Sequence, residues 1–156
     1  MRASAPTPRA AGARKTTGTQ YAALPYRVTE GGLEIMLITT RRTKRWIVPK
    51  GWPIEGCEPC ACAAREALEE AGIVGEIQER PVGFYHYFKV LKNGISVPCK
   101  VDVFALRVTR QRKTWPEKDV REVRWYSFKD AVAAVGEPDL RRLIVKFGVH
   151  LAANGN

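Results

Sequence analysis

Within six residues this sequence places one arginine and three glutamates, Arg65, Glu66, Glu69 and Glu70, in the run REALEEAG. In a helix, positions three and four apart share a face, so the three carboxylates project together, with Arg65 one turn before Glu69. Clustered carboxylates repel one another and settle only with compensating cations. Oxygen-only donors select hard divalent ions such as Mg²⁺ or Mn²⁺. For an isolated REALEEAG the plainer reading is a solvated acidic helix face. The neighbouring segment PKGWPIEG shifts the balance towards a metal site, because it would lay glycine-rich backbone beside the carboxylates.

Such a cluster needs a helix to carry it and a sheet to hold that helix. PCACAAREALEEA is rich in helix formers; Pro59 suits the first helical position, Glu58 lies next to the positive end of the dipole, and Gly72 stops the helix. Upstream, QYAALPYRV and LEIMLITT flank the Glu30-Gly31-Gly32 turn as a hairpin, Trp46–Pro49 reads as a third short strand, and KGWPIEGCEP reads as a loop. Downstream, VGFYHYFKVL and ISVPCKVDVFALRV form a second hairpin around Lys92-Asn93-Gly94. REVRWYSF adds a strand, and two helical pieces follow, from Phe128 and from Glu137 to Leu151. Strands, a helix, more strands and closing helices predict a mixed α/β domain with helices covering a central sheet.

The fixed positions Gly51, Arg65, Glu66, Glu69, Glu70, Gly72 and Ile73 resemble the Nudix box: Gly, five residues, Glu, seven residues, Arg-Glu, apolar, any, Glu-Glu, any, Gly, apolar. The first Glu of that pattern falls on Cys57, with Glu55 and Glu58 out of register. RWIVPKGW, the preceding Thr39-Thr40-Arg41 and the late VRWYSFKDAV resemble the diphosphoinositol polyphosphate and diadenosine polyphosphate hydrolase branch, over about residues 20–145.

The resemblance implies a mixed-sheet α/β/α sandwich whose catalytic loop and helix follow a short strand, and a metal-dependent hydrolase of phosphoanhydride bonds. By position it implies that Glu66 and Glu70 hold Mg²⁺ or Mn²⁺ with the backbone carbonyl of Lys50, that Glu69 binds metal or orients water, and that Arg65 holds Glu69. The general base stays divided among Glu69, Glu66 and a loop residue, Glu117 or Glu122. Since the first box glutamate buttresses loop and helix, Cys57 is expected to affect rate and rigidity more than metal binding.

Arg41, Arg42, Lys44, Arg45, Lys50 and Gly51 bracket the third strand, and cations so dense beside a metal site suit a small molecule with many phosphates. Arg41 and Lys50 are the best placed. A diphosphoinositol polyphosphate or a dinucleoside polyphosphate meets that demand; a nucleotide or nucleoside-diphosphate-sugar pyrophosphatase is the enzymatic alternative. A catalytically weak polyphosphate- or RNA-binding module is the alternative of another class, less favoured because no RNA-recognition signature accompanies the basic residues.

The chain has 156 residues and a formal net charge of +10, which fits one globular domain, expected over 20–151, with a C-terminal tail at 152–156. Residues 1–19, with Arg2, Arg9, Arg14 and Lys15 and no acid, read as a disordered basic tail, with an organelle transit peptide as the alternative. No apolar run approaches the roughly 20 residues that span a bilayer. Four cysteines, Cys57, Cys60, Cys62 and Cys99, lack both a disulfide framework and paired zinc spacing, so reduced thiols and a cytoplasmic location are expected. His86, Tyr85, Tyr87 and the Trp115-Pro116 pair receive no role.

Overall fold

The computed structural model describes residues 18–154, so most of the expected N-terminal tail lies outside the described residues. Strand β1 (Gly18–Thr29) opens two residues before the expected domain start and pairs with β2 (Gly32–Thr39) as the predicted hairpin. Then come β3 (Trp46–Ile47), β4 (Lys50–Gly51), α1 (Pro59–Ala71), β5 (Ile73–Ile77), β6 (Gly83–Val90), β7 (Ser96–Gln111), β8 (Val123–Ser127), α2 (Phe128–Ala134) and α3 (Pro138–Ala153). Helix α3 therefore runs two residues into the expected C-terminal tail.

The strands form one mixed sheet of order β3-β2-β1-β7-β5, with β4 on β1, β6 on β7 and β8 on β2. Among the described strands β1 and β7 pair in parallel and the other strand pairs are antiparallel, while an isolated parallel bridge joins Trp46 to Val135. The length of β7 lets its first half hold β6 and its second half hold β5 while β1 runs along its other edge.

Side chains alternate across these strands and build a core on each face. Leu24, Tyr26, Ile35, Leu37, Val101 and Val103 meet Ala131, Leu140, Ile144 and Phe147 of α2 and α3. Ala23, Met36, Ile38, Phe104 and Leu106 meet Ala63, Ala67 and Ala71 of α1. Alanines at four-residue spacing let α1 lie close to the sheet, which presses the adjacent carboxylates inward. The result is the expected α/β/α sandwich.

Three local expectations change. Lys50 and Gly51, read as loop, are a two-residue strand in register with Ala22 and Tyr21. The third strand stops at Ile47 rather than Pro49. Strand β5 was not anticipated, because Gly75 interrupts its apolar run; a Cβ there would lie 2.0 Å from the Arg107 carbonyl oxygen at a β-bulge, so the close crossing requires glycine. Among the described residues no helix is long and apolar enough to cross a membrane.

Candidate active site

Helix α1 has the predicted bounds. Pro59 occupies its first turn, and Gly72 closes it in the left-handed conformation (φ 72°), donating to Leu68 O at 3.0 Å. Its inward edge carries Glu70, only 5% exposed, whose Oε1 accepts the Lys50 backbone N–H at 3.3 Å. Strand β4 thus passes directly against the helix. At Gly51 the approach is closest, since a Cβ would lie 2.2 Å from Glu66 Oε2.

That contact makes a prediction. In Gly51→Ala the clash falls on the far end of a flexible side chain, so Glu66 swings aside and the fold survives. A melting temperature within about 2 °C of the parent, roughly half a kcal/mol, is expected, together with a turnover loss of about tenfold or more. Parallel melts and rate assays check this; an unchanged rate would remove Glu66 from the chemistry.

Burial raises the carboxyl pKa of Glu70 to about 8, with the Arg121 charge opposing and Glu66 reinforcing the shift. Burial raises Glu66 as well, but its hydrogen bond with Glu70 works the other way, so of the two Glu70 is pushed further towards its protonated form. Glu69 instead turns to Arg65, whose Nε lies 3.2 Å from its Oε2. Among the described residues no three His, Cys, Asp or Glu side chains already stand together as a metal cage. Glu66 and Glu70 form a pair, with Glu69 beside it. Buried Glu70 and half-buried Glu66, both raised by burial and offering only oxygen donors, fit a hard divalent cation, which would take the place of protons.

The segment between β7 and β8 reaches back over α1. Arg112 N–H donates to Gly72 O at 2.7 Å and Glu117 N–H to Glu69 O at 3.0 Å. The Glu117 carboxylate is then gripped by Arg121 Nε at 2.7 Å and approached by Arg41 Nη2 at 3.7 Å. Arg121 also donates to Thr39 O at 3.0 Å and lies 3.9 Å from Glu70 Oε2. Of the two loop candidates, the structure brings Glu117 to the pair. The Glu122 side chain is 61% exposed and faces Arg124 at 3.9 Å, so it does not join the cluster. Arg121 was missed in the sequence, although its four-residue spacing from Glu117 was a visible signal.

The cations before α1 divide. Arg41 joins the cluster through Glu117; Arg45 reaches Thr43 and, at 3.9 Å, Glu137; Arg42 is exposed and makes no ion pair among the described residues. The Lys50 ammonium lies 4.8 Å from the centre of the Tyr87 ring, and burial lowers its pKa to about 8 against the pull of Glu70. Tyr87 in turn donates to buried Gln20 at 2.6 Å. Gln20 and Tyr87 therefore support Lys50, a role assigned to neither from the sequence. Cys57 sits just before α1, its carbonyl accepting from Cys62 Sγ at 3.6 Å, and all four cysteines are free thiols.

A carboxylate-bearing helix after a short strand, folded against a mixed sheet with helices on both faces, defines the class, and the NUDIX domain matches residues 19–147. The chain belongs to the Nudix hydrolase family. It is 30% identical over 118 residues to Nudix hydrolase 12, mitochondrial, of Arabidopsis thaliana, covering 74% of this chain and 58% of that protein. To diphosphoinositol polyphosphate phosphohydrolase 3-alpha of Mus musculus it is 31% identical over 102 residues, 64% of this chain and 58% of the mouse protein. The chain thus spans little more than half the length of these relatives. A binary complex of the C. elegans Ap4A hydrolase shares the fold, with TM-score 0.66 at 24% identity over 87% of this chain and 98% of that one.

Proposed function

We propose that this chain hydrolyses phosphoanhydride bonds in a polyphosphorylated small molecule, a diphosphoinositol polyphosphate or a dinucleoside polyphosphate, with Mg²⁺ or Mn²⁺. The carrying observation is buried Glu70 and half-buried Glu66 held against Lys50 and Gly51. Glu66 and Glu70 would hold the metal with the Lys50 carbonyl and assistance from Glu69. A divalent cation bound there would neutralise the phosphates and polarise the phosphoryl group. Glu69, oriented by Arg65, and Glu117, held by Arg121, are carboxylates beside the pair that can accept a proton from attacking water. Arg41 stands at the same cluster and Lys50 behind it, with Arg42 and Arg45 further out, giving a multiply charged anion several cations to meet.

Two relatives' names support this substrate class: one specifies diphosphoinositol polyphosphates and the other Ap4A. The free thiols support a reducing compartment, and the cytoplasm is our assignment, although several relatives carry organellar names.

The test is a Mg²⁺-dependent hydrolysis panel of diadenosine polyphosphates, an inositol pyrophosphate, ADP-ribose and nucleoside triphosphates. Fastest turnover is expected on one of the first two. No turnover on any, or a clear preference for ADP-ribose, overturns the reading. On the same panel Cys57→Glu is expected to raise the rate modestly, by about two- to tenfold, because a carboxylate there gives Arg65 a second partner and stiffens the loop. A jump from complete inactivity would instead mark the natural chain as a binding module.

A further inference from the structure

On the solvent side of α1, about a third of a turn from the Glu66–Glu70 pair, a groove of about 530 Å³ runs between the helix and the segment leaving β7. Arg65 and half-buried Leu68 form one wall; Arg112, Thr114, Trp115 and Pro116 form the other. It continues past Arg112 and Thr114 into a second hollow of about 470 Å³ lined by Arg110, Gln111 and Lys113. The groove contains both cations and an apolar surface.

Its charges are unusually free. Arg110, Arg112 and Lys113 are exposed and make no ion pair among the described residues. The one acid on the lining, Glu69, is already paired with Arg65. Lys118 adds a fourth cation, 5.4 Å from the centre of the Trp115 ring. The Trp115 indole N–H is buried without an acceptor, an uncommon state for a buried donor. Trp115 itself is held rigidly, because it packs onto Gly72 so closely that a Cβ there would meet its ring at 2.2 Å. Unpaired cations around a fixed aromatic and aliphatic surface, in a volume suited to one small ligand, match a molecule with a flat apolar part and a phosphate.

We propose that this groove is a second binding site, separate from the carboxylate pair, for a nucleoside phosphate. Its base lies on Leu68, Trp115 and Pro116, and its phosphate lies between Arg112 and Lys113, with Arg110 beyond. Unpaired cations favour the anion, the apolar surface favours the base, and neither needs the metal.

The test uses the full chain in EDTA with adenosine 5′-monophosphate, which has no anhydride bond to cleave. Saturable one-site binding is expected by calorimetry, and the double variant Arg112→Glu/Lys113→Glu should weaken it by about tenfold or more. Ribose 5-phosphate, lacking the base, should bind about tenfold more weakly than the nucleotide. Arg41→Ala, on the side of the carboxylate pair, should leave the affinity within about twofold. Absence of binding, indifference to the charge reversal, equal affinity for ribose 5-phosphate, or loss of affinity in Arg41→Ala each overturns the site. Because no turnover is measured, the outcome is independent of the hydrolase reading. Both replaced side chains are exposed, and unchanged circular dichroism confirms that the variant is folded.

Discussion

Glu70→Gln is expected to yield a protein that is more stable than the parent in the absence of metal at pH 8–9, yet turns over substrate about a hundredfold more slowly or worse. The stability gain follows from the direction of the pKa shift. Glu70 has its folded pKa raised from 4.5 to about 8 by burial. Between those values the native state binds more protons than the unfolded chain, so stability falls as pH rises; the contribution is complete below about 4.5 and lost as pH passes through 8. At alkaline pH the parent therefore holds an unwelcome buried carboxylate. Glutamine removes that charge while its amide oxygen still accepts from Lys50 N–H and its NH₂ can donate to Glu66. A gain of about 1 kcal/mol, or roughly 2–4 °C in Tm, is expected in EDTA at pH 9. Mg²⁺ should reverse the ranking, because protons and metal compete for the same oxygens: the parent gains stability with metal, more at pH 8 than at pH 6, and the variant does not. Melts with EDTA or Mg²⁺ across this range, paired with rates, check both halves. Equal metal stabilisation in the two proteins would show that the metal binds elsewhere.

What was legible in the sequence was what local chemistry determines. Pro59, Gly72 and the helix formers between them specify where α1 begins and where it ends, and those bounds hold to the residue. Glycine turns between apolar, β-branched runs likewise exposed both hairpins. What escaped depends on partners distant along the chain. A two-residue strand such as Lys50–Gly51 has no period of its own and exists only because β1 offers its edge. Gly75 looks like a break until the Arg107 carbonyl that it accommodates is known. The same holds within the site. Box spacing brought Glu66 and Glu70 together, but it is silent on Glu117 against Glu122, five positions apart in one segment; the hydrogen bond from Glu117 N–H to Glu69 O decides between them. Gln20 and Tyr87, 67 positions apart, converge beneath Lys50 only after the sheet has formed.

Arg121 is the clearest product of such long-range convergence, and its replacement should have the largest effect on stability. With its side chain only 12% exposed, it joins Glu117, the Thr39 carbonyl 82 positions away and Glu70. In Arg121→Met the stem is replaced by a chain of similar bulk, but Glu117 loses its close partner, Glu70 loses its nearest cation and the Thr39 carbonyl loses a donor. Removing one member of a largely buried ion pair leaves the other poorly compensated, at a cost of about 2 kcal/mol or more, or roughly 4–8 °C in Tm. Arg121→Lys restores the charge but not the fork that serves three acceptors, so it should recover part of the stability and less of the rate. The decisive comparison adds Glu117→Gln. If Arg121 acts by compensating that carboxylate, the double variant Arg121→Met/Glu117→Gln should be more stable than the sum of the single losses predicts, by about 1 kcal/mol or more. Denaturant melts of the four proteins measure this coupling. Additivity within about 0.5 kcal/mol would mean that Arg121 stabilises the loop through Thr39 alone and that Glu117 is held in place by its backbone contact to α1.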